Sequence, residues 1–201
     1  MMKRRYYLSI TYLSTTILWW YWLWVKRNPK IYADVERAVK GREYSKAFDS
    51  YFLKFCFAMI YLHEFPSVFS LRLGYLSHLR WLLFPFFKPE STVMIHMPEN
   101  KIGEGLCIAH GNSTVCIAQS IGKNFSIYQQ TTIGYSHGAC PVIGNNVTVY
   151  AGAKVLGGVF VGDNAVIAAN AVVVKDVPEN AIMAGIPAKV IGYRDPNVFI
   201  I

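Results

Sequence analysis

Of the five histidines, His110 has the setting most suggestive of chemistry, the run I-A-H-G-N at 108–112. A neutral imidazole titrates near physiological pH, so a histidine held against a hydroxyl can take its proton. Counting forward by the chain's own repeat brings Gln129, Ala151 and Ala169 to the equivalent position, a ladder graded from imidazole and amide to methyl groups. Gln129 and Asn112 are the amides expected to meet an acceptor. His137 lies in Y-S-H-G-A-C-P, which departs from the repeat. Loops carried by a rigid scaffold often hold function, so His137 is either a second catalytic group or a solvated side chain. His63, His78 and His96 are read as structural. Cys56, Cys107, Cys116 and Cys140 have no C-x-x-C spacing, which fits reduced thiols in a cytosolic setting and no structural zinc.

The element that must position these groups repeats every six residues. Six hexads run from 143 to 178, headed by Ile143, Val149, Val155, Val161, Ile167 and Val173, and the fifth position of each is Ala or Val. A less regular set starts at Ile102, Ile108, Val115, Ile121, Ile127 and Ile133, with one extra residue near Thr114 and a longer insertion from Ala139 to Val142. Neither an α-helix nor a hairpin sheet has this period. A triangular coil does: each hexad supplies a short strand with an inward branched residue and a corner where Gly, Asn or Asp tolerates unusual φ and ψ. Three hexads close a turn of roughly 18 residues, so twelve give about four stacked coils. Stacking buries an Ile and Val column that no single coil could bury.

Upstream of the coils the pattern is different. Residues 30–90 read as an α-helical domain with polar residues early, then FLKFCFAMIYLHEF, a break at Pro66, and SVFSLRLGYLSHLRWLLF. Residues 6–25 are uncharged, largely apolar and Trp-rich, flanked by Lys3, Arg4 and Arg5 before and Lys26, Arg27 and Lys30 after. That length and those interfacial aromatics suit membrane contact, spanning or in the interface, with a buried helix as the alternative. A cleaved signal peptide fits poorly, because Lys-Arg-Asn-Pro-Lys follows the apolar stretch. Residues 1–90 hold fourteen Lys and Arg against six Asp and Glu, whereas residues 91–201 hold six against six, so the net charge of +8 belongs to the first half. The cations flank apolar runs instead of lining a polar face, which argues against nucleic acid as a partner. The organisation expected is a hydrophobic segment over 1–29, a helical domain over 30–90, a coil domain over 91–192 and a tail over 193–201.

Three segments, I-G-E-G-L-C-I-A-H-G-N around His110, V-Y-A-G-A-K-V-L-G-G at 149–158 and V-V-K-D-V-P-E-N-A-I-M-A-G-I-P-A-K-V-I-G at 173–192, resemble the hexapeptide-repeat acyltransferases. The likeness is to the serine acetyltransferase-like group, which includes polysaccharide O-acetyltransferases. E-F-P-S-V-F-S-L-R-L-G at 64–74 is similar to the end of that group's helical domain, and the resemblance covers about residues 30–195. It implies a left-handed parallel β-helix, a homotrimer or dimer of trimers with active sites between subunits, and acetyl-CoA along the coil edge. His110 is then the general base for acetyl transfer to an acceptor hydroxyl. Ala151, Gly152, Ala169 and Gly185 are expected along pantetheine, Lys175 and Lys189 at its phosphates, and the backbone amide near Gly134 at the developing oxyanion. Serine acetyltransferases carry an acidic residue directly before the base and another about fifteen residues upstream. Ala109 and Ile95 stand at those places, which favours an uncharged sugar hydroxyl while leaving L-serine in play. By alignment the family's acceptor-side loop histidine falls near Cys140, not at His137.

Two other readings are open to the sequence. One is a catalytically silent trimeric scaffold held at a membrane by residues 6–25; the other is a zinc enzyme of the carbonic anhydrase type, for which His96, His110 and His137 do not share rungs. The expected location is cytoplasmic, with attachment to the cytoplasmic face of the membrane through residues 6–25.

Overall fold

The computed structural model describes residues 18–19, 22–23, 26, 28–40, 50–74 and 89–195. His78, most of the 6–25 stretch and the end of the tail lie outside the described residues. From Val93 onward the chain winds as a parallel β-helix with three faces. Face I stacks β1 (Val93–Ile95), β3 (Thr114–Cys116), β6 (Thr132–Gly134), β9 (Lys154–Leu156) and β12 (Val172–Val173). Face II stacks β4 (Ser120–Ile121), β7 (Val142–Ile143) and β10 (Phe160–Val161), extended by bridges at Ile102 and Val177. Face III stacks β2 (Cys107–Ala109), β5 (Ser126–Tyr128), β8 (Thr148–Val149), β11 (Val166–Ile167) and β13 (Ala181–Ala184). A final strand, β14 (Lys189–Tyr193), folds back antiparallel on β13.

Five strands on face I and five parallel ones on face III make five coils, not the four expected from twelve hexads. The additional coil is assembled at the two ends, from β1 before the first hexad and from β13 after the last. The inward column matches the expected heads almost throughout: Ile108, Ile127, Ile133, Ile143, Val149, Val155, Val161, Ile167 and Val173 are all buried. The exception is Val115. Register pairs Cys116 with Ile133, and Cys116 is the buried residue, so the insertion there is two residues long and not one. Burial pushes the Cys116 thiol up to about 12, which leaves it a small apolar filler.

The corner between faces II and III shows why this sequence coils. Gly122 needs no side chain because an added Cβ would sit 2.6 Å from the Gly144 carbonyl carbon. Two residues on, Asn124, Asn146, Asn164 and Asn180 all adopt positive φ. Their side chains form a ladder, each amide donating to the next carbonyl at 2.9–3.0 Å. Asparagine serves twice, tolerating the left-handed conformation and bonding along the stack. Asn146→Ala removes two of these bonds and places a Cβ residue at positive φ. A loss of about 2–3 kcal/mol is expected in urea unfolding, and a smaller one for Asn146→Gly; equal losses would mean that the backbone angle is not part of the cost.

Among the described residues the helical region holds α1 (Pro29–Val39), α2 (Tyr51–Tyr61) and α3 (Phe65–Arg72). Asn28 caps α1 by accepting from the Lys30 N–H, with Pro29 at the first position. Pro66 likewise lies in the first turn of α3, so the break falls just before it. Asp34 is fully buried and not a polar helix start: the Arg72 guanidinium grips it through Nε–Oδ2 at 2.7 Å and Nη2–Oδ1 at 3.1 Å. The pair also ties the helices to the first coil. Arg72 donates to the carbonyls of Ile102 and Gly103, and Asp34 accepts from the Leu106 N–H. One apolar core runs from Leu18 and Phe55 through Ile102 and Leu106 to Met183.

Candidate active site

His110 stands at the corner between faces III and I of the first coil. Its backbone takes φ 53°, and Ser113 takes φ 56°. Coming from face III, Ala109 pairs with Tyr128, which would put His110 level with Gln129. Coming from face I, the count differs: Val115 pairs with Thr132, and the Gln130 N–H donates to the Asn112 carbonyl just as the Gly152 N–H donates to Gln129. The regular rung is therefore Asn112, Gln129, Ala151, Ala169, and the expected ladder is corrected at its first member. His110 and Gly111 form a two-residue bulge that lifts the imidazole out of the stack. The side chain is 78% exposed as a result.

The bulge meets a carboxylate that sequence reasoning missed. Glu64, at the start of α3, accepts the His110 backbone N–H at 3.0 Å, and the same oxygen lies 3.9 Å from the imidazole Nδ1. Glu64 is 46 residues away in the chain, so no motif around His110 contains it. The only local signal is an acidic residue directly before the Phe-Pro start of a helix. The packing behind the bulge is tight, since a Cβ on Gly111 would strike Val93 and Ile108.

The other expected residues divide by corner. Asn112, Gln129, Ala151, Gly152, Ala169 and Gly185 all lie on the III–I corner beneath His110, and Lys189, paired with Ala184, sits at its foot. Ala151 is half-buried, Ala169 exposed, and Gln129 holds a buried Oε1 without a hydrogen-bond partner among the described residues. Four steps of roughly 4.8 Å set the fifth coil about 19 Å below the first, room for an extended ligand arm along the corner. Gly152 is also required by the stack itself, because a Cβ there would collide with the Asn170 side chain. Lys154, not singled out from sequence, adds a cation on this edge by donating to the Gln130 carbonyl at 2.6 Å.

Gly134, His137 and Lys175 lie at the I–II corner instead, across face I from His110. Ser136 and Ala139 bond reciprocally through their backbones and His137 and Gly138 both have positive φ, so the insertion closes as a tight hairpin with His137 exposed at its tip. Beside it is an open cleft lined by Gln119, Tyr135, Cys140 and Phe160 among others. Within one chain the structure does not bring His137 or Gly134 to His110. Among the described residues no group of three His, Cys, Asp or Glu side chains is arranged to hold a metal ion.

Residues 140–175 match the family model described as bacterial transferase hexapeptide (six repeats). Serine acetyltransferase of Synechococcus elongatus is 42% identical over 124 residues, 59% of this chain and 47% of that protein. The chain spans about half the length of the curated relatives it matches. Among solved structures, the Neisseria gonorrhoeae serine acetyltransferase in complex with serine superposes with a TM-score of 0.59 at 30% identity, covering 80% of this chain and 67% of that one. The Brucella abortus enzyme in complex with coenzyme A gives 0.63 at 26%, covering 85% and 71%. Five hexapeptide coils with helices packed on the first of them, and relatives alike in both sequence and fold, make this chain a member of the hexapeptide-repeat transferases, in their serine acetyltransferase-like group.

Proposed function

We propose that this chain transfers an acetyl group from acetyl-CoA to the hydroxyl of L-serine, with His110 as general base. The observation that carries the reading is an outward imidazole beside a carboxylate, at the head of a corner of small residues. The acceptor hydroxyl gives its proton to His110 while its oxygen attacks the thioester carbonyl. The tetrahedral adduct then collapses, the C–S bond breaks and the departing thiolate recovers the proton from the imidazolium. Pantetheine runs down the III–I corner past Ala151 and Ala169, with Lys154 and Lys189 at hand for its phosphates. In the homotrimer we propose as the active unit, a neighbouring subunit's I–II corner supplies a backbone amide of the insertion near Gly134 and the His137 loop.

Glu64 bears on the acceptor. A carboxylate at the base suits the ammonium of L-serine and stands in for the acids absent at Ala109 and Ile95. A sugar hydroxyl is the second reading, favoured by Tyr128 and Tyr150, whose rings lie 4.9 Å apart on face III next to the His110 corner and offer an apolar shelf. Steady-state kinetics of Glu64→Gln with L-serine and with sugars separates the two. If the carboxylate meets the ammonium, KM for L-serine rises about 10- to 100-fold, the scale of a hydrogen bond to a charged group, while kcat changes little. Faster turnover of a sugar than of L-serine in the parent chain would overturn the serine reading.

A further inference from the structure

The Trp-rich stretch is described at Leu18, Trp19, Trp22, Leu23 and Lys26, and these residues divide it into two faces. Leu18 and Trp22, four apart, face the protein: Leu18 is fully buried, and the Trp22 ring packs on Tyr51, Phe52 and Phe55 of α2 at centroid distances of 5.1, 6.2 and 5.5 Å. The four described residues 18, 19, 22 and 23 are helical, and the Lys26 N–H donates to the Trp22 carbonyl one turn back. On that geometry Trp19, Leu23 and Lys26 fall at i, i+4 and i+7, one stripe about a quarter-turn round the helix from Leu18 and Trp22. All three are exposed, Trp19 at 49% and Leu23 at 37%. Solvent normally meets polar residues on such a stripe.

The geometry points to a membrane-surface docking face, in which the Trp19, Leu23 and Lys26 stripe lies in the plane of an anionic lipid bilayer. Three observations commit the face to lipid. Tryptophan and an aliphatic side chain followed by a lysine on one stripe is the order an interface rewards, with the ring at headgroup depth and the ammonium at the phosphates. The charge is complementary, since the first ninety residues carry fourteen cations against six anions and Lys3, Arg4, Arg5 and Arg27 flank the stretch in sequence. The adjoining face is occupied, since Trp22 packs on α2 of the domain that the buried Asp34–Arg72 pair fastens to the coils, so the exposed stripe lies at the surface of that domain. No single helix among the described residues is long and apolar enough to cross a membrane.

The test is flotation of the full chain with vesicles of phosphatidylcholine alone and of phosphatidylcholine mixed with phosphatidylserine. The parent chain is expected to float with the mixed vesicles, less with the neutral ones, and to be released by alkaline carbonate. Trp19→Ser/Leu23→Ser should lower partition about 10- to 100-fold, and Lys26→Glu should weaken binding to the mixed vesicles selectively. Both variants alter exposed positions, and an unchanged thermal transition shows that the fold is retained. Equal flotation of parent and variants overturns the proposal. So does retention after carbonate, which would indicate a spanning segment, and so does a variant whose gel-filtration size drops while its vesicle binding holds, which would indicate a second copy on the stripe.

Discussion

His110→Ala is expected to lower kcat for acetyl transfer about 10²- to 10⁴-fold, the usual contribution of a positioned base, with acetyl-CoA affinity nearly unchanged. The affinity should hold because the small residues assigned to pantetheine lie on the coils below the bulge. Alanine introduces a complication of its own: His110 has φ 53°, where a Cβ residue other than Asn or Asp is strained. His110→Asn therefore serves as the paired variant, since asparagine accepts the left-handed angle but offers no base at neutral pH. Equal losses in both variants, read by CoA thiol release, attribute the effect to the imidazole. Recovery in His110→Asn would make His110 a corner residue and move the chemistry elsewhere.

Arg72→Ala is expected to cost about 3–5 kcal/mol, because it leaves the Asp34 carboxylate buried without its cation. Both side chains are essentially inaccessible, at 0% and 1%, so solvent screening gives no relief. Two coil carbonyls, Ile102 and Gly103, lose their donor in the same step. For a chain of this size the loss corresponds to roughly 6–20 °C in Tm, measurable by circular dichroism. Arg72→Lys should recover only part, since a lysine cannot form the two-pronged contact. A loss below about 1 kcal/mol would mean that water reaches the pair when the helices shift, and that the helices are not fastened to the coils as described.

How much was legible in the sequence follows from whether each interaction is periodic. The inward column and the asparagine corners are, so Ile143 through Val173 read directly as coils. Cys116 was missed because the period breaks at the His110 bulge and valine is a better-looking core residue than cysteine. The fifth coil was missed because β1 and β13 lack a hexad's full pattern. Asp34 with Arg72 and Glu64 with His110 are 38 and 46 residues apart. Contacts of that kind leave no spacing to count, and only the packing of α1 and α3 on the first coil brings them together. The exposed Trp19 and Leu23 were legible as apolar, but the side of the stretch that faces protein was not.

Acceptor-dependent release of CoA thiol is the most direct test of the account: purified full-length chain mixed with acetyl-CoA, with and without L-serine, with the product identified by mass. The account predicts thiol release that requires the acceptor and O-acetylserine as the product. Acetyl-CoA left intact with L-serine and with every sugar tried would contradict it, and would leave the five coils as a scaffold with an exposed histidine.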